Sequence, residues 1–285
     1  MKVSDFMSSP VIAVRPAEPV AHAKRLMLRH GIKRLVVLER GRPVGIVSMQ
    51  DLARRLGGGT AGWRRRPIDS IPIANVMNKN LLSAPPRAEL SSAAKMILRR
   101  GVGSLIVTEG GQLVGILTKT DLTRYFAEHL VGRIKVGELM TKRVITAERL
   151  HSIMRVVDLM RENNVGRVVI VDGKKPVGIV TESDIAFARL EEPAQGLAER
   201  RLRFVRKPAT AERAKYRYVK YIALLTAEDV MTSELVVVEP GADASKAAGL
   251  MVEHKISGLP VVDGEELKGI ITKTDLVRGI ANLSD

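Results

Sequence analysis

Four stretches of this chain set a hydroxyl and a carboxylate at one fixed spacing: GIVSMQD (45–51), GILTKTD (115–121), GIVTESD (178–184) and GIITKTD (269–275). In each, a Ser or Thr precedes an Asp by three residues. That spacing suits a capping box, in which hydroxyl and acid satisfy the free N–H groups of a helix start. On this reading Ser48, Thr118, Thr181 and Thr272 are N-caps, each worth about 1 kcal/mol. Asp51, Asp121, Asp184 and Asp275 then sit in the first turn, where the helix dipole favours an acid. The same geometry also suits a ligand. A helix N-terminus offers unpaired N–H groups to an anion such as phosphate, and an aspartate one turn along accepts two hydrogen bonds from a vicinal diol such as that of ribose. A hydroxyl can cap a helix and touch a ligand, so the two readings coexist. A cap accepts Asp, Glu or Gln at the third place; four aspartates out of four is a narrower choice.

The elements that position these residues repeat with them. Each aspartate lies 44 residues after a methionine (Met7, Met77, Met140, Met231), and each glycine of the motif (Gly45, Gly115, Gly178, Gly269) lies 38 residues after it. The copies begin at intervals of 70, 63 and 91 residues, so only the connectors vary. In the first copy VIAV (11–14) suits a short buried strand, and Pro19 opens a helix whose apolar positions are Val20, Ala23, Leu26 and Met27 and whose stop is Gly31. RLVVLE (34–39) and VGIVS (44–48) form a hairpin, and a helix follows from about Met49. The other copies keep this order, and those at 166–181 and 258–272 carry Asp-Gly at the hairpin turn. The expected fold is α+β, four βαββα units with a short helical lead-in at each methionine. A unit of about 50 residues buries too little surface to stand alone, so units must pair. The glycines of the last strand predict close approach of backbone or ligand, and the methionines are expected in the core.

Composition narrows the functional classes. The chain has no cysteine, which excludes disulfides, thiolate metal sites and cysteine nucleophiles. His22, His30, His129, His151 and His254 show no metal-like spacing, so no metal site is expected. No apolar run approaches the ~18 residues that span a bilayer, and the start MKVSDFMSSP lacks the apolar stretch of a signal peptide; the expectation is a cytoplasmic protein with no membrane role. The net charge of +15 attracts anions. The connectors 52–72, 122–135 and 185–226 carry +4, +2 and +6 of it. The long connector also holds three of the four tyrosines. Interleaved Arg and Tyr suit stacking on bases, and a solvated basic helix that caps its neighbours suits the composition equally.

The lead-ins DFM, NVM, ELM and DVM, the hairpins IKRLVVLE, VGSLIVTE, VGRVVIVD and ISGLPVVD, and the four endings together resemble the CBS-domain family, named after cystathionine β-synthase. Four units in one chain are similar to the γ subunit of AMP-activated protein kinase and to stand-alone archaeal four-unit proteins. The resemblance implies two pseudo-symmetric pairs forming a flat disc, with adenine nucleotides in clefts between units. It implies ribose ligands Asp51, Asp121, Asp184 and Asp275. Phosphate contacts would come from Ser48, Thr118, Thr181 and Thr272, from the residues before the acid, Thr120, Ser183 and Thr274, and from the basic residues Lys33, Arg34, Arg167, Lys119 and Lys273. Adenine would lie near Ile32, Val102, Val165 and Ile256. Gln50 replaces the small hydroxyl in repeat 1 and Glu182 stands beside the phosphate position in repeat 3, so the four clefts are not expected to bind equally.

The expected organisation is repeat 1 at 1–56, a basic Gly-rich linker at 57–72, repeat 2 at 73–127, repeat 3 at 134–190, a basic helical insert at 191–226 and repeat 4 at 227–285. With no P-loop and no nucleophile–base spacing, the chain reads as a non-enzymatic regulator without a catalytic cofactor. It would bind AMP, ADP or ATP, with S-adenosylmethionine as an alternative ligand, and signal to a protein partner by conformational change; a homodimer is a candidate assembly. Two other readings stay open: a nucleic-acid-binding protein that uses the basic connectors, with nucleotides as effectors, and a scaffold in which the endings are only caps.

Overall fold

Each repeat is built on the same small parallel–antiparallel sheet. This computed structural model describes residues 1–56, 68–185 and 225–283. In repeat 1 strand β1 (Ala13–Val14) leads through helix α1 (Val20–His30) to the hairpin β2 (Arg34–Glu39) and β3 (Arg42–Ser48), and then to α2 (Met49–Leu56). Pro19 is the residue before the helix, and Gly31 ends it with φ 62°, returning its N–H to Leu28 and Met27. That left-handed turn suits glycine, which carries no Cβ to clash. β1 lies parallel to β2, which pairs antiparallel with β3.

Repeat 2 follows the same order through β4 (Ser83–Ala84), α3 (Leu90–Arg99), β5 (Ser104–Glu109), β6 (Gln112–Thr118) and α4 (Lys119–His129). Repeat 3 comprises α5 (Val136–Leu139), β7 (Thr146–Glu148), α6 (Ile153–Glu162), β8 (Arg167–Asp172) and β9 (Lys175–Thr181). Repeat 4 has α7 (Ala244–Glu253), β10 (Gly258–Asp263), β11 (Glu266–Thr272) and α8 (Lys273–Ala281). Its first strand shrinks to a single parallel bridge, Val238 to Val261. Pro260 explains this. In repeats 2 and 3 the equivalent Ile106 and Val169 donate their N–H to the first strand, at Leu82 and Ile145; proline has none to give.

The chain divides into two compact units, Met1–Arg143 with Val236–Asp285, and Val144–Leu235. The core of the first runs continuously from repeat 2 to repeat 4, through Ala93, Ile97, Leu122 and Phe126 to Ala247, Met251, Leu276 and Ile280. Gly279 permits the close approach of α8 to α4, since a Cβ there would stand 2.9 Å from the Phe126 ring. The second unit has its own core, with Val156, Val168, Ile170 and Val180 under Ala227. No helix of the described residues is long and apolar enough to cross a membrane. The Gly-rich stretch 57–67 and most of the basic insert 191–226 lie outside the described residues.

The lead-in segments depart from the expected arrangement. Each packs on another repeat rather than on its own. Residues 1–8 join repeat 2: Val3 donates to the Ala88 carbonyl, and Ser8 and Ile116 exchange backbone hydrogen bonds of 2.9 and 3.1 Å. Phe6 meets Tyr125 edge-on at 4.9 Å. Residues 71–78 return the exchange to repeat 1, where Asn78 pairs with Ile46. Likewise Thr141 of repeat 3 pairs with Ile270 of repeat 4, and Thr232 of repeat 4 with Ile179 of repeat 3. The motif methionines, expected in the core, reach it in another repeat: Met77 is buried, and Met7, Met140 and Met231 are partly buried against core residues. Met7 and Met77 lie on Gly115 and Gly45, and Met140 and Met231 on Gly269 and Gly178, with sulfur 2.2–2.7 Å from where a glycine Cβ would stand. Of the four, only Met77 is buried. The close approach expected at the glycines is made by these side chains.

Candidate functional site

Every repeat brings its hairpin start against its helix start by one backbone bond. Met49 donates to the Lys33 carbonyl, Lys119 to Gly103, Glu182 to Gly166 and Lys273 to Ser257, at 3.0–3.2 Å. This bond sets the half-buried residues Ile32, Val102, Val165 and Ile256, which end the preceding turn, close to the Ser/Thr-x-x-Asp ending.

The ending itself is a capping box in all four copies. Oδ2 of Asp51 accepts from the Ser48 N–H at 2.9 Å and from its hydroxyl at 2.5 Å. Thr118 and Asp121 repeat this at 2.8 and 2.6 Å, Thr181 and Asp184 at 2.8 and 2.8 Å, and Thr272 and Asp275 at 2.7 and 2.6 Å. The hydroxyl oxygen accepts the N–H of the aspartate in return, at 3.1–3.4 Å. The hydroxyl proton is thus committed to the carboxylate.

The second carboxylate oxygen has further partners in repeats 2 and 4. Oδ1 of Asp121 accepts from the Ser8 hydroxyl at 3.0 Å and lies 3.6 Å from the Arg124 guanidinium. Oδ1 of Asp275 is bonded by Arg278 and lies 3.4 Å from the Thr141 hydroxyl. Among the described residues, Oδ1 of Asp51 and of Asp184 has no such partner. Burial follows the same division: Asp121 and Asp275 are buried, Asp51 and Asp184 only partly so.

A cavity of about 180 Å³ opens beside Asp51, between repeats 1 and 2. Its lining is apolar at Ile46, Leu81, Leu82, Val102 and Ile106 and polar at Arg34, Ser48, Gln50, Asp51, Asn78 and Asn80. The apolar residue from the hairpin start is therefore Val102 of repeat 2, and Ile32 does not line the cavity. Arg34 crosses from its own strand to lie on Gly103, where a Cβ would stand 1.8 Å from its Nη2. Burial lowers the pKa of Arg34, and the negative charges of Asp51 and Asp121 offset part of that shift. An arginine still stays charged in such a place.

Other basic residues named from the sequence have found protein partners. Lys119 donates to the Thr274 hydroxyl at 2.9 Å, and Lys273 donates to Thr120 at 3.0 Å. These reciprocal bonds join the starts of α4 and α8, the final helices of repeats 2 and 4. Arg167 and Ser183 are half-buried in repeat 3, and Lys33 is exposed at the repeat 1 hairpin start. Two roles were missed from the sequence: Ser8 and Thr141, which reach the acid of another repeat, and the arginines one turn beyond Asp121 and Asp275. The signal for the arginines was present in DLTR and DLVR, and DLAR (51–54) repeats it in the first copy; that for the hydroxyls needs the exchange of lead-ins to be known.

Comparison with known proteins agrees with this architecture. The family model of the CBS domain matches residues 3–58, 73–128, 136–191 and 227–282. Uncharacterized protein MJ1404 of Methanocaldococcus jannaschii is 29% identical over 286 residues, which are 99% of this chain and 62% of that protein's length. Uncharacterized protein MJ1225 of the same organism is 25% identical over 296 residues, 99% of this chain and 98% of its own. The crystal structure of MJ1225, put forward as an archaeal homolog of g-AMPK, superposes with a TM-score of 0.79 at 22% identity, covering 99% of this chain and 100% of that one.

Proposed function

The chain belongs to the CBS-domain family, and from that premise we propose that it is a regulatory protein that binds adenine nucleotides and reports their presence to a protein partner. The observation that carries this reading is the cavity at Asp51, with its apolar and polar lining. Its apolar lining suits the face of a base. The Asp51 carboxylate suits a ribose diol, and Arg34 suits a phosphate, to which a guanidinium offers paired donors.

The same residues favour AMP, ADP or ATP over S-adenosylmethionine. Both ligand types carry adenosine, but the sulfonium places a positive charge where Arg34 stands, and like charges repel. Regulation follows from where the lining comes from. Repeat 1 supplies the acid, the arginine and Ile46, and repeat 2 supplies the rest of the apolar lining, Leu81, Leu82, Val102 and Ile106. A nucleotide that touches both prefers one arrangement of the two repeats and shifts the population toward it. No catalytic step is assigned to this cleft.

Calorimetry on the full chain tests the proposal with AMP, ADP, ATP and S-adenosylmethionine in parallel. Binding of at least one nucleotide is expected, weakened about tenfold or more by Asp51→Asn, since a hydrogen bond to a charged group contributes about 1.5–3 kcal/mol. If none of the three nucleotides binds at millimolar concentration, the reading is withdrawn.

A further inference from the structure

Five polar side chains are buried among the described residues: Ser104, Asp121, Thr123, Ser245 and Asp275. Four of them are bonded within the protein. Asp121 takes Thr118 and Ser8, and Asp275 takes Thr272 and Arg278. The Thr123 hydroxyl donates to the Lys119 carbonyl at 2.6 Å, and Ser245 bonds the Asp243 carboxylate. Ser104, at the start of β5, is the fifth. It is 8% exposed, and its hydroxyl has no hydrogen-bond partner among the described residues. Buried polar groups are hydrogen-bonded as a rule. Ser104 lines the Asp51 cavity, so the partner of its hydroxyl is whatever fills that cavity.

Arg34 and Ser104 hold the same place in their repeats. Each opens its hairpin across from the capping hydroxyl, Arg34 from Ser48 and Ser104 from Thr118. Arg34 lies on Gly103, the residue before Ser104, with Nη2 1.8 Å from where a Cβ would stand. The guanidinium, too, has no hydrogen-bond partner among the described residues. A guanidinium and a hydroxyl from two repeats thus meet at neighbouring residues of one cavity. A guanidinium only donates, and a hydroxyl can donate; the group that accepts from both at once is an oxyanion. A base edge or a sugar hydroxyl at Ser104 would leave the Arg34 charge facing a neutral group.

We propose, resting on the nucleotide-binding reading above, that Ser104 is a ligand-binding and specificity-determining residue of this cleft. Its hydroxyl and the Arg34 guanidinium together receive one phosphoryl group, which is then bonded to repeat 1 and repeat 2 at once. Repeat 3 carries Arg167 at the matching place. A second arginine at 104 would set like charges together beside Arg34; serine adds a donor without adding charge.

Calorimetry on the full chain with AMP, adenosine and inorganic phosphate tests this, with melting temperatures followed alongside. Ser104→Ala should weaken AMP about tenfold or more, the loss of one hydrogen bond to a charged group, and adenosine by less than about twofold. The variant should melt at or above the wild-type temperature, because the hydroxyl bonds nothing in the described fold. An unchanged affinity for AMP overturns the proposal, and so do equal losses for AMP and adenosine, which would turn the hydroxyl toward the base or the sugar. A variant that melts well below wild type overturns it as well, since the hydroxyl would then be bonded within the fold. Should the wild-type chain bind no AMP, the nucleotide reading fails and inorganic phosphate decides the donor pair. Phosphate binding that Ser104→Ala weakens supports an oxyanion site at Arg34 and Ser104; no binding, or binding indifferent to the substitution, overturns it.

Discussion

Arg34 shows how one side chain converts a cap into a site. A capping box alone explains the bonds between Ser48 and Asp51, and the scaffold reading asks for nothing more. It does not explain a half-buried guanidinium lying on Gly103 with its pKa lowered by burial. Charge placed away from water is costly unless an opposite charge joins it; Asp51 and Asp121 offset part of that cost, and an anion in the cavity beside Arg34 would offset more. Arg34→Gln should therefore weaken AMP by about 10- to 100-fold, the range of a charge-assisted hydrogen bond of about 1.5–3 kcal/mol. Adenosine, which has no phosphate, should lose less than about twofold, a change smaller than a single neutral hydrogen bond. Calorimetry with the two ligands measures the contrast. Equal losses for both would assign Arg34 to the shape of the cleft and not to the anion. Lysine is not a neutral replacement, because it lacks the planar fork of donors.

At the scale of elements, the four hairpins change register just after the residue that faces the motif glycine: Val37, Val107, Ile170 and Val261. The methionine of another repeat lies against that glycine. Gly115→Ala places a methyl group against the Met7 side chain, whose Sδ and Cγ would be 2.4 and 3.0 Å away. Overpacking of this kind costs about 1–3 kcal/mol. Met7→Ala added to it should recover most of the loss, giving a coupling energy of about 0.5–3 kcal/mol in urea unfolding. At Gly269 the new methyl would also stand 3.0 Å from the Thr141 carbonyl. Backbone cannot swing aside as a methionine can, so Met140→Ala should rescue Gly269→Ala less well. Strictly additive effects at Gly115 would contradict the exchange of lead-ins. That exchange was not legible in the sequence. A spacing of 38 residues from Met to Gly is the same whether the two meet within a repeat or across repeats. Strand order, hairpins, helix stops and capping boxes were legible, because they depend on neighbours along the chain. The occupied state of Asp121 and Asp275 was not, because it depends on Ser8 and Thr141, which lie 113 and 134 residues away.

Across the whole molecule, charge and cleft chemistry are separated. The connectors carry +12 of the net +15, so the four repeats between them carry only +3. Much of that connector charge falls at 57–67 and 186–224, outside the described residues. In the reading proposed above a nucleotide enters the Asp51 cavity, whereas a nucleic acid is drawn by the summed charge, most of which the connector sequences carry. Single-stranded oligonucleotide should therefore bind, if it binds, by counterion release alone. Affinity would then fall steeply between 50 and 200 mM salt, with a log–log slope of about −0.7 per phosphate neutralised. Replacing Arg64, Arg65 and Arg66 by glutamine removes three of those contacts and should flatten the slope by about 2. Arg34→Gln, which acts inside a cleft, should leave the slope within about one contact of wild type. Fluorescence anisotropy across a salt series separates the cases. A slope that responds to Arg34 and not to the three connector arginines would place the polyanion in the Asp51 cleft. No binding at 50 mM salt would end the nucleic-acid reading and leave the connector charge for an acidic protein surface, where the same arginine substitutions should slow association most at low salt.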